Sequence, residues 1–332
     1  MRPYILTLGV VAALAAVMSA QSLRPYAPAR TPWGDPDLQG AYTNSNESLI
    51  PMERPASLTG RTLESITPEE LARLNEERNQ SRIEADKQRW ELRSPLHWFE
   101  NHDPKASRAW LVIDPPDGRI PATTPEAKQR ATARTQARQG RGDADSYEDR
   151  SLYDRCITRG LPGSMMPAIY GNAYEIIQGP GYVAISYEMV NELRVIPLDP
   201  STGSGSPRAQ SRGDNRPHVR APIHMYMGDG RGHFDGNTLV VETTNFNENS
   251  TYRGSTDRLR IIERFTPVAP ETVEWSVTLD DAATWVRPWT FAMHLTKTDE
   301  RPFEYACHEG NYAMRNILGI ARAAEAAARS GR

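Results

Sequence analysis

From Tyr174 to about Tyr305 the chain alternates apolar and polar residues with a period of two, and this pattern restricts the fold more than any other feature. Val183, Ile185, Tyr187 and Met189 share one face against Ala184, Ser186 and Glu188, and Leu239, Val241 and Thr243 oppose Val240, Glu242 and Thr244. Val273, Trp275, Val277 and Leu279 alternate with Glu274, Ser276, Thr278 and Asp280. Trp289, Phe291, Met293 and Leu295 alternate with Thr290, Ala292, His294 and Thr296. Successive side chains of a strand point to opposite faces, so the pattern predicts half-buried antiparallel strands. Asp235-Gly236 is a two-residue hairpin signal, and residues 267–271 fit a longer turn. About eight or nine strands follow one another without the crossover helices that a parallel sheet needs. A meander of that size closes into a barrel or splits into a sandwich, because closure removes exposed edges. The expectation is a mainly β fold, an antiparallel up-and-down barrel, ending in an Ala-rich helix from Tyr312 to Ala328.

Before residue 150 the signals are different. Residues 21–65 read as an extended, Pro-rich lead-in, with a turn at Trp33 to Gly40 feeding a short strand. Thr67-Pro68-Glu69-Glu70 carries the N-cap hydroxyl, first-turn proline and acid of a helix start, and the helix runs to about Trp90. A strand at Trp110 to Asp114 ends in a Pro-Asp-Gly turn, and Thr124-Pro125 opens a second polar helix that Gly140 stops. The abundance of Pro (26) and Gly (23) fits many turns and short elements better than a helical bundle. The expected division is a signal peptide over 1–20, an extended and helical region over 21–150 and the barrel with its helix over 151–332.

The signal peptide rests on a basic head at Arg2, an apolar run from Ile5 to Met18 and the small residues Ser19-Ala20. A spanning helix needs about 20 apolar residues, so an uncleaved anchor is the weaker alternative. No cysteine follows the run to carry a lipid. The expected location is the periplasm or the exterior, with no membrane span after signal removal. A net charge of −3 with both signs mixed gives no reason to expect a nucleic-acid partner. Oligomeric state is left open. Cys156 and Cys307 are the only cysteines, and in an oxidising compartment such a pair forms a disulfide. The alternative is one buried and one reactive thiol.

Several strings bear on kinship: Arg155-Cys156-Ile157-Thr158-Arg159-Gly160-Leu161-Pro162, the segment Asp235 to Phe246, Trp285-Val286-Arg287-Pro288-Trp289-Thr290, and Glu304 to Tyr312 with its Cys307-His308-Glu309-Gly310 centre. Together they resemble a broad family of uncharacterised secreted proteins from environmental bacteria. The resemblance implies export and a boundary near residue 150, and it supplies no mechanism. The barrel pattern with a helix against its wall resembles the lipocalin (calycin) superfamily, without that superfamily's sequence fingerprint. Residues 200–217, rich in Gly, Ser, Pro and Arg, read as a linker, or alternatively as a lid beside a barrel mouth.

Two functional readings follow. The first is a barrel that binds a small apolar or aromatic molecule, with Tyr170, Tyr174, Arg194, Asn245, Trp285 and Trp289 as candidate contacts; Tyr187 and Trp275 belong to the same aromatic set. The second is a lyase, isomerase or hydrolase without an organic cofactor, using His308, Glu309 and Glu188 for acid/base chemistry. Against it, Glu309 and Asn311 suit a helix cap as well as a catalytic site. Glu188, Arg194 and Asp280 lie on polar strand faces, which either line the interior as paired charges or face water. His224-Met225-Tyr226-Met227 offers soft ligands of the kind Cu(I) takes, but methionine fills cores more often, so no metal is expected. Serine-hydrolase, phosphate-cradle and dinucleotide fingerprints are missing from the sequence.

Overall fold

The computed structural model describes residues 26–89, 105–199 and 223–331. The apolar run of the expected signal peptide and the 200–217 segment lie outside them. The elements in chain order are β1 (Gly40–Thr43), α1 (Pro68–Arg89), β2 (Val112–Asp114), α2 (Pro125–Ala137), β3 (Ala173–Gly179), β4 (Tyr182–Tyr187), β5 (Glu192–Pro197), β6 (Asp229–Asp235), β7 (Thr238–Thr244), β8 (Arg260–Ala269), β9 (Thr272–Asp280), β10 (Trp289–Lys297) and α3 (Tyr312–Arg329). The fold is mainly β, a nearly closed antiparallel barrel with a partly helical N-terminal region and a C-terminal helix.

Nine strands form one path, β5-β4-β3-β1-β10-β9-β8-β7-β6, in which every neighbouring pair is antiparallel. Eight of them follow one another in sequence, as the alternation predicts. The ninth is β1, which is inserted between β3 and β10 (Tyr42 opposite Tyr174 on one side and Lys297 on the other). β2 pairs with the other end of the same β10 edge, opposite Thr290 and Phe291. Residues from the first half of the chain therefore complete the sheet.

An odd number of strands, each antiparallel to the next, leaves the two end strands running the same way. The barrel can then meet itself only through a parallel seam, and it does: Leu198 and Gly232 form a parallel bridge, and the Asp199 N–H donates to the Gly232 carbonyl at 2.8 Å. A side chain at position 232 has no room. An added Cβ falls 2.8 Å from Leu198 Cδ2 and 3.0 Å from Ile196 Cγ2.

The apolar faces point inward. Val183, Ile185 and Tyr187, then Val273, Trp275, Val277 and Leu279, then Trp289, Phe291, Met293 and Leu295 are all buried in one core. Connecting segments close both ends. At the β6–β7 turn, Leu38 enters the core, its N–H bonded to Gln178 Oε1 at 2.6 Å while Arg30 reaches Asn237 at 2.9 Å. At the opposite end, where β4–β5 and β7–β8 connect, Leu161 and Met165 enter the same core, and Asn44 Nδ2 donates to the Met165 carbonyl at 2.6 Å.

The disulfide Cys156–Cys307 is present, joining residues 151 apart in sequence with Cα atoms 5.6 Å apart. It fastens the segment that carries Leu161 and Met165, the plug of that end of the barrel, to the segment that precedes α3. Helix α3 differs from the expected helix against the barrel wall. None of its residues is buried, and Arg322 instead donates to the carbonyls of Ala144 (2.9 Å) and Asp145 (3.1 Å). Asn311 caps it, accepting from the Met314 N–H. Among the described residues no helix is long and apolar enough to cross a membrane.

Gly232→Val should destabilise the protein by about 1–3 kcal/mol through overpacking at the seam. A urea titration checks this, and an unchanged midpoint would show that β5 and β6 can separate freely.

Candidate functional site

The barrel interior is filled, and its filling is partly ionic. Arg194 on β5 and Glu263 on β8 both point inward, with 5% and 0% exposure, and Arg194 Nη1 donates to Glu263 Oε2 at 2.5 Å. Arg194 Nη2 donates to Thr243 Oγ1 at 2.5 Å, and Trp275 Nε1 donates to the second carboxylate oxygen at 3.2 Å. The charges cost desolvation, and the complementary charge with its hydrogen bonds offsets it. Tyr187 lies beside the guanidinium, and burial pushes its hydroxyl well above the ordinary phenol range, against the pull of Arg194. Around this pair runs a chain of packed rings. Trp285 meets Trp289 edge-on at 5.7 Å, Trp289 continues to Phe291 at 6.0 Å, Phe291 meets Trp275 at 5.7 Å, and Trp275 stacks on Phe265 at 6.5 Å.

A cleft of about 870 Å³ opens outside the plug, at the end where β4–β5 and β7–β8 connect. Its floor is apolar, with Met52, Leu111, Leu161, Met166 and Met189, and its walls carry Tyr153, Tyr170 and Tyr252. Tyr153 lies within electrostatic reach of Tyr305 and Tyr170, and Tyr170 stacks on Tyr305 with centroids 6.5 Å apart. Burial, followed by the neighbouring Tyr305, pushes the Tyr153 hydroxyl far above the usual phenol range; burial raises Tyr170 as well. On its other side the Tyr153–Tyr170 wall faces a second, smaller cleft of about 450 Å³ beside the disulfide. Arg159 lies over the Tyr153 ring, 5.8 Å from its centroid. Its Nη2 makes one long bond to the Met166 carbonyl at 3.4 Å, while Nη1 is buried with no partner among the described residues.

Of the residues singled out from sequence, Tyr170 lines the cleft. Tyr174, Trp285 and Trp289 are buried in the core, where Tyr174 donates to Asn44 Oδ1 at 3.1 Å. Arg194 is in the ion pair. Asn245 adopts a left-handed backbone (φ 60°), and its side chain donates to the Ile223 carbonyl at 3.0 Å. Glu188 borders a separate surface cleft with Arg301 and Phe303. His308 and Glu309 are exposed, and the structure brings neither of them to Glu188 or Arg194. Asp280 stays at the surface, 3.9 Å from Arg260. His224 approaches the Phe246 carbonyl, 3.1 Å from its Nδ1. Among the described residues no group of three or more His, Cys, Asp or Glu is placed to hold a metal ion.

Sequence reasoning missed Tyr153, Tyr305, Arg159 and Glu263. Glu263 was readable in part: it interrupts an apolar row, Ile261 and Phe265, at a position that period-2 alternation sends inward. A further polar group was not readable at all. Glu47 is buried, accepting from Ser107 Oγ (2.6 Å), the Ser107 N–H (3.0 Å) and the His294 N–H (3.3 Å). Burial pushes its carboxyl up against those bonds. Next to it Arg108 pairs with Glu274 at 2.6 Å, and burial, then Arg108, hold the His294 imidazole below its ordinary range. These bonds pin Ser107 and Arg108 to β9 and β10.

Compared with protein-family models, with curated proteins and with solved structures, the chain matches none. The likeness to lipocalins stands only at the level of a nearly closed antiparallel barrel.

Glu263→Leu strands Arg194 in the core and should cost about 3–5 kcal/mol, whereas Arg194→Met combined with Glu263→Leu should recover most of the loss. Chemical denaturation of the two variants measures both effects. A single variant as stable as the wild type would mean that water reaches the guanidinium.

Proposed function

We propose that this protein binds a small, largely apolar or aromatic molecule in the cleft at the β4–β5 and β7–β8 end of the barrel. The observation that carries the reading is the contrast between a packed interior and a cleft of about 870 Å³ with three tyrosines on an apolar floor. Ligand sites are typically clefts of about 300–1,000 Å³ with apolar and aromatic linings and a few polar groups. Tyrosine suits such a wall because its ring supplies contact area while its hydroxyl can bond. Tyr170 stacks on Tyr305 beside Tyr153, which holds the rings in place before a ligand arrives and lowers the ordering cost of binding.

The acid/base reading has less support. It requires His308 and Glu309 to share a pocket with another ionisable group, and both are exposed, away from Glu188 and Arg194. We place the protein's work outside the cytoplasm. The signal-like first twenty residues favour this, and so does a disulfide that an oxidising compartment would preserve.

Titration with 2-naphthol, followed by its fluorescence, tests the site. Tyr170→Ala should weaken binding about tenfold, the worth of one aromatic contact. Trp289→Phe, a change inside the barrel, should leave the affinity as it was. The opposite ranking would put the ligand inside the barrel.

A further inference from the structure

The charges around the cleft are one-sided. Among its lining residues are two arginines, Arg159 and Arg253, and no aspartate or glutamate, in a chain whose net charge is −3. Elsewhere on the described surface arginines find carboxylates: Arg61 with Glu70, Arg141 with Asp149, Arg260 with Glu242, Arg264 with Asp235. Arg159 has no such partner among the described residues. Its guanidinium is held in place from one side by the Tyr153 ring and from the other by the Met166 carbonyl, and Nη1 is left buried and unbonded. An unsatisfied buried donor costs about 1–3 kcal/mol, more when it is charged. Arg253 lies at the rim, exposed, with its guanidinium 5.7 Å from the Tyr252 ring. Neutral groups that could bond a second ligand oxygen, Ser151, Asn249 and Thr251, lie along the same lining.

We infer that the molecule bound in this cleft is an organic acid, with an ionised carboxylate on Arg159 and an aromatic or apolar body against Tyr153, Tyr170 and the methionine floor. This inference rests on the cleft being the binding site, and it adds the ligand's charge. A carboxylate in the cleft gives the guanidinium a charged acceptor, and a turn of the Arg159 side chain toward the cleft brings it to Nη1, which water does not touch in the free protein. In an apolar cleft that bond is screened less than it would be at an open surface. Arg253 adds long-range attraction to the same end, so it should act on the association rate more than on the lifetime of the complex.

The test compares three probes of one shape, 2-naphthoate, 2-naphthamide and 2-naphthol, by calorimetry on the disulfide-intact full chain at neutral pH. The acid should bind about 10- to 100-fold more tightly than the amide, the worth of one charged hydrogen bond. Arg159→Gln should remove that preference while leaving the amide within about twofold of its wild-type affinity. Equal binding of acid and amide by the wild type, a comparison that needs no variant, overturns the inference and leaves the cleft reading intact. An acid preference that survives Arg159→Gln also overturns it. No binding by any of the three probes removes the cleft reading, and the inference with it.

Discussion

At the centre of the barrel a guanidinium and a carboxylate sit 2.5 Å apart with almost no access to solvent, and the rest of the interior is arranged around them. Arg194 enters from β5 and Glu263 from β8, strands that are not neighbours in the sheet. Their contact spans the interior past β6 and β7, which lie between them across the seam. Each charge brings further partners: Thr243 on Arg194, and the Trp275 indole on Glu263, which joins the ion pair to the packed rings of β9 and β10. A barrel filled in this way is a core. A ligand could enter it only by displacing aromatic rings and separating a desolvated ion pair, at a cost of several kcal/mol.

That constraint puts the proposed binding site at the surface, beside the plug. Leu161 and Met165 seal the end of the barrel from a segment that starts at Cys156, so the disulfide holds the plug and the cleft wall to one anchor. Tyr153, three residues before the bridge, and Tyr305, two residues before its other half, meet above it with Tyr170. A cross-link of this kind restricts the unfolded chain and contributes about 2–5 kcal/mol in small domains. Here it also keeps in register two stretches of irregular backbone that no strand ladder connects.

The strands were legible because period-2 alternation is a local property, readable one segment at a time. The disulfide and the Asn311 cap were legible for similar reasons: two cysteines leave one pairing, and a cap is set by residues in a single turn. β5 shows where such reading stops. Its apolar residues Leu193 and Val195 face outward, 59% and 56% exposed, and Arg194 faces inward. The reason lies in Glu263, almost seventy residues later; β8 shows a Glu on its inward row, but nothing in either strand's own pattern pairs it with Arg194. The tyrosine cluster is hidden in the same way, since Tyr153, Tyr170 and Tyr305 come from three separate loops. Aromatic content pointed to a pocket, but it could not separate residues that fill the barrel, such as Trp285 and Trp289, from Tyr170, which lines its rim. The insertion of β1 between β3 and β10 depends on long-range pairing and was not visible either.

The central claim is that ligand meets this protein on the outside of the plug, with the barrel interior intact. Hydrogen–deuterium exchange with and without saturating 2-naphthoate measures this directly. The account predicts added protection in residues 151–170 and 249–253 and unchanged exchange in β8, β9 and β10. Protection or loosening centred on β8 to β10, with the 151–170 segment unaffected, would contradict it.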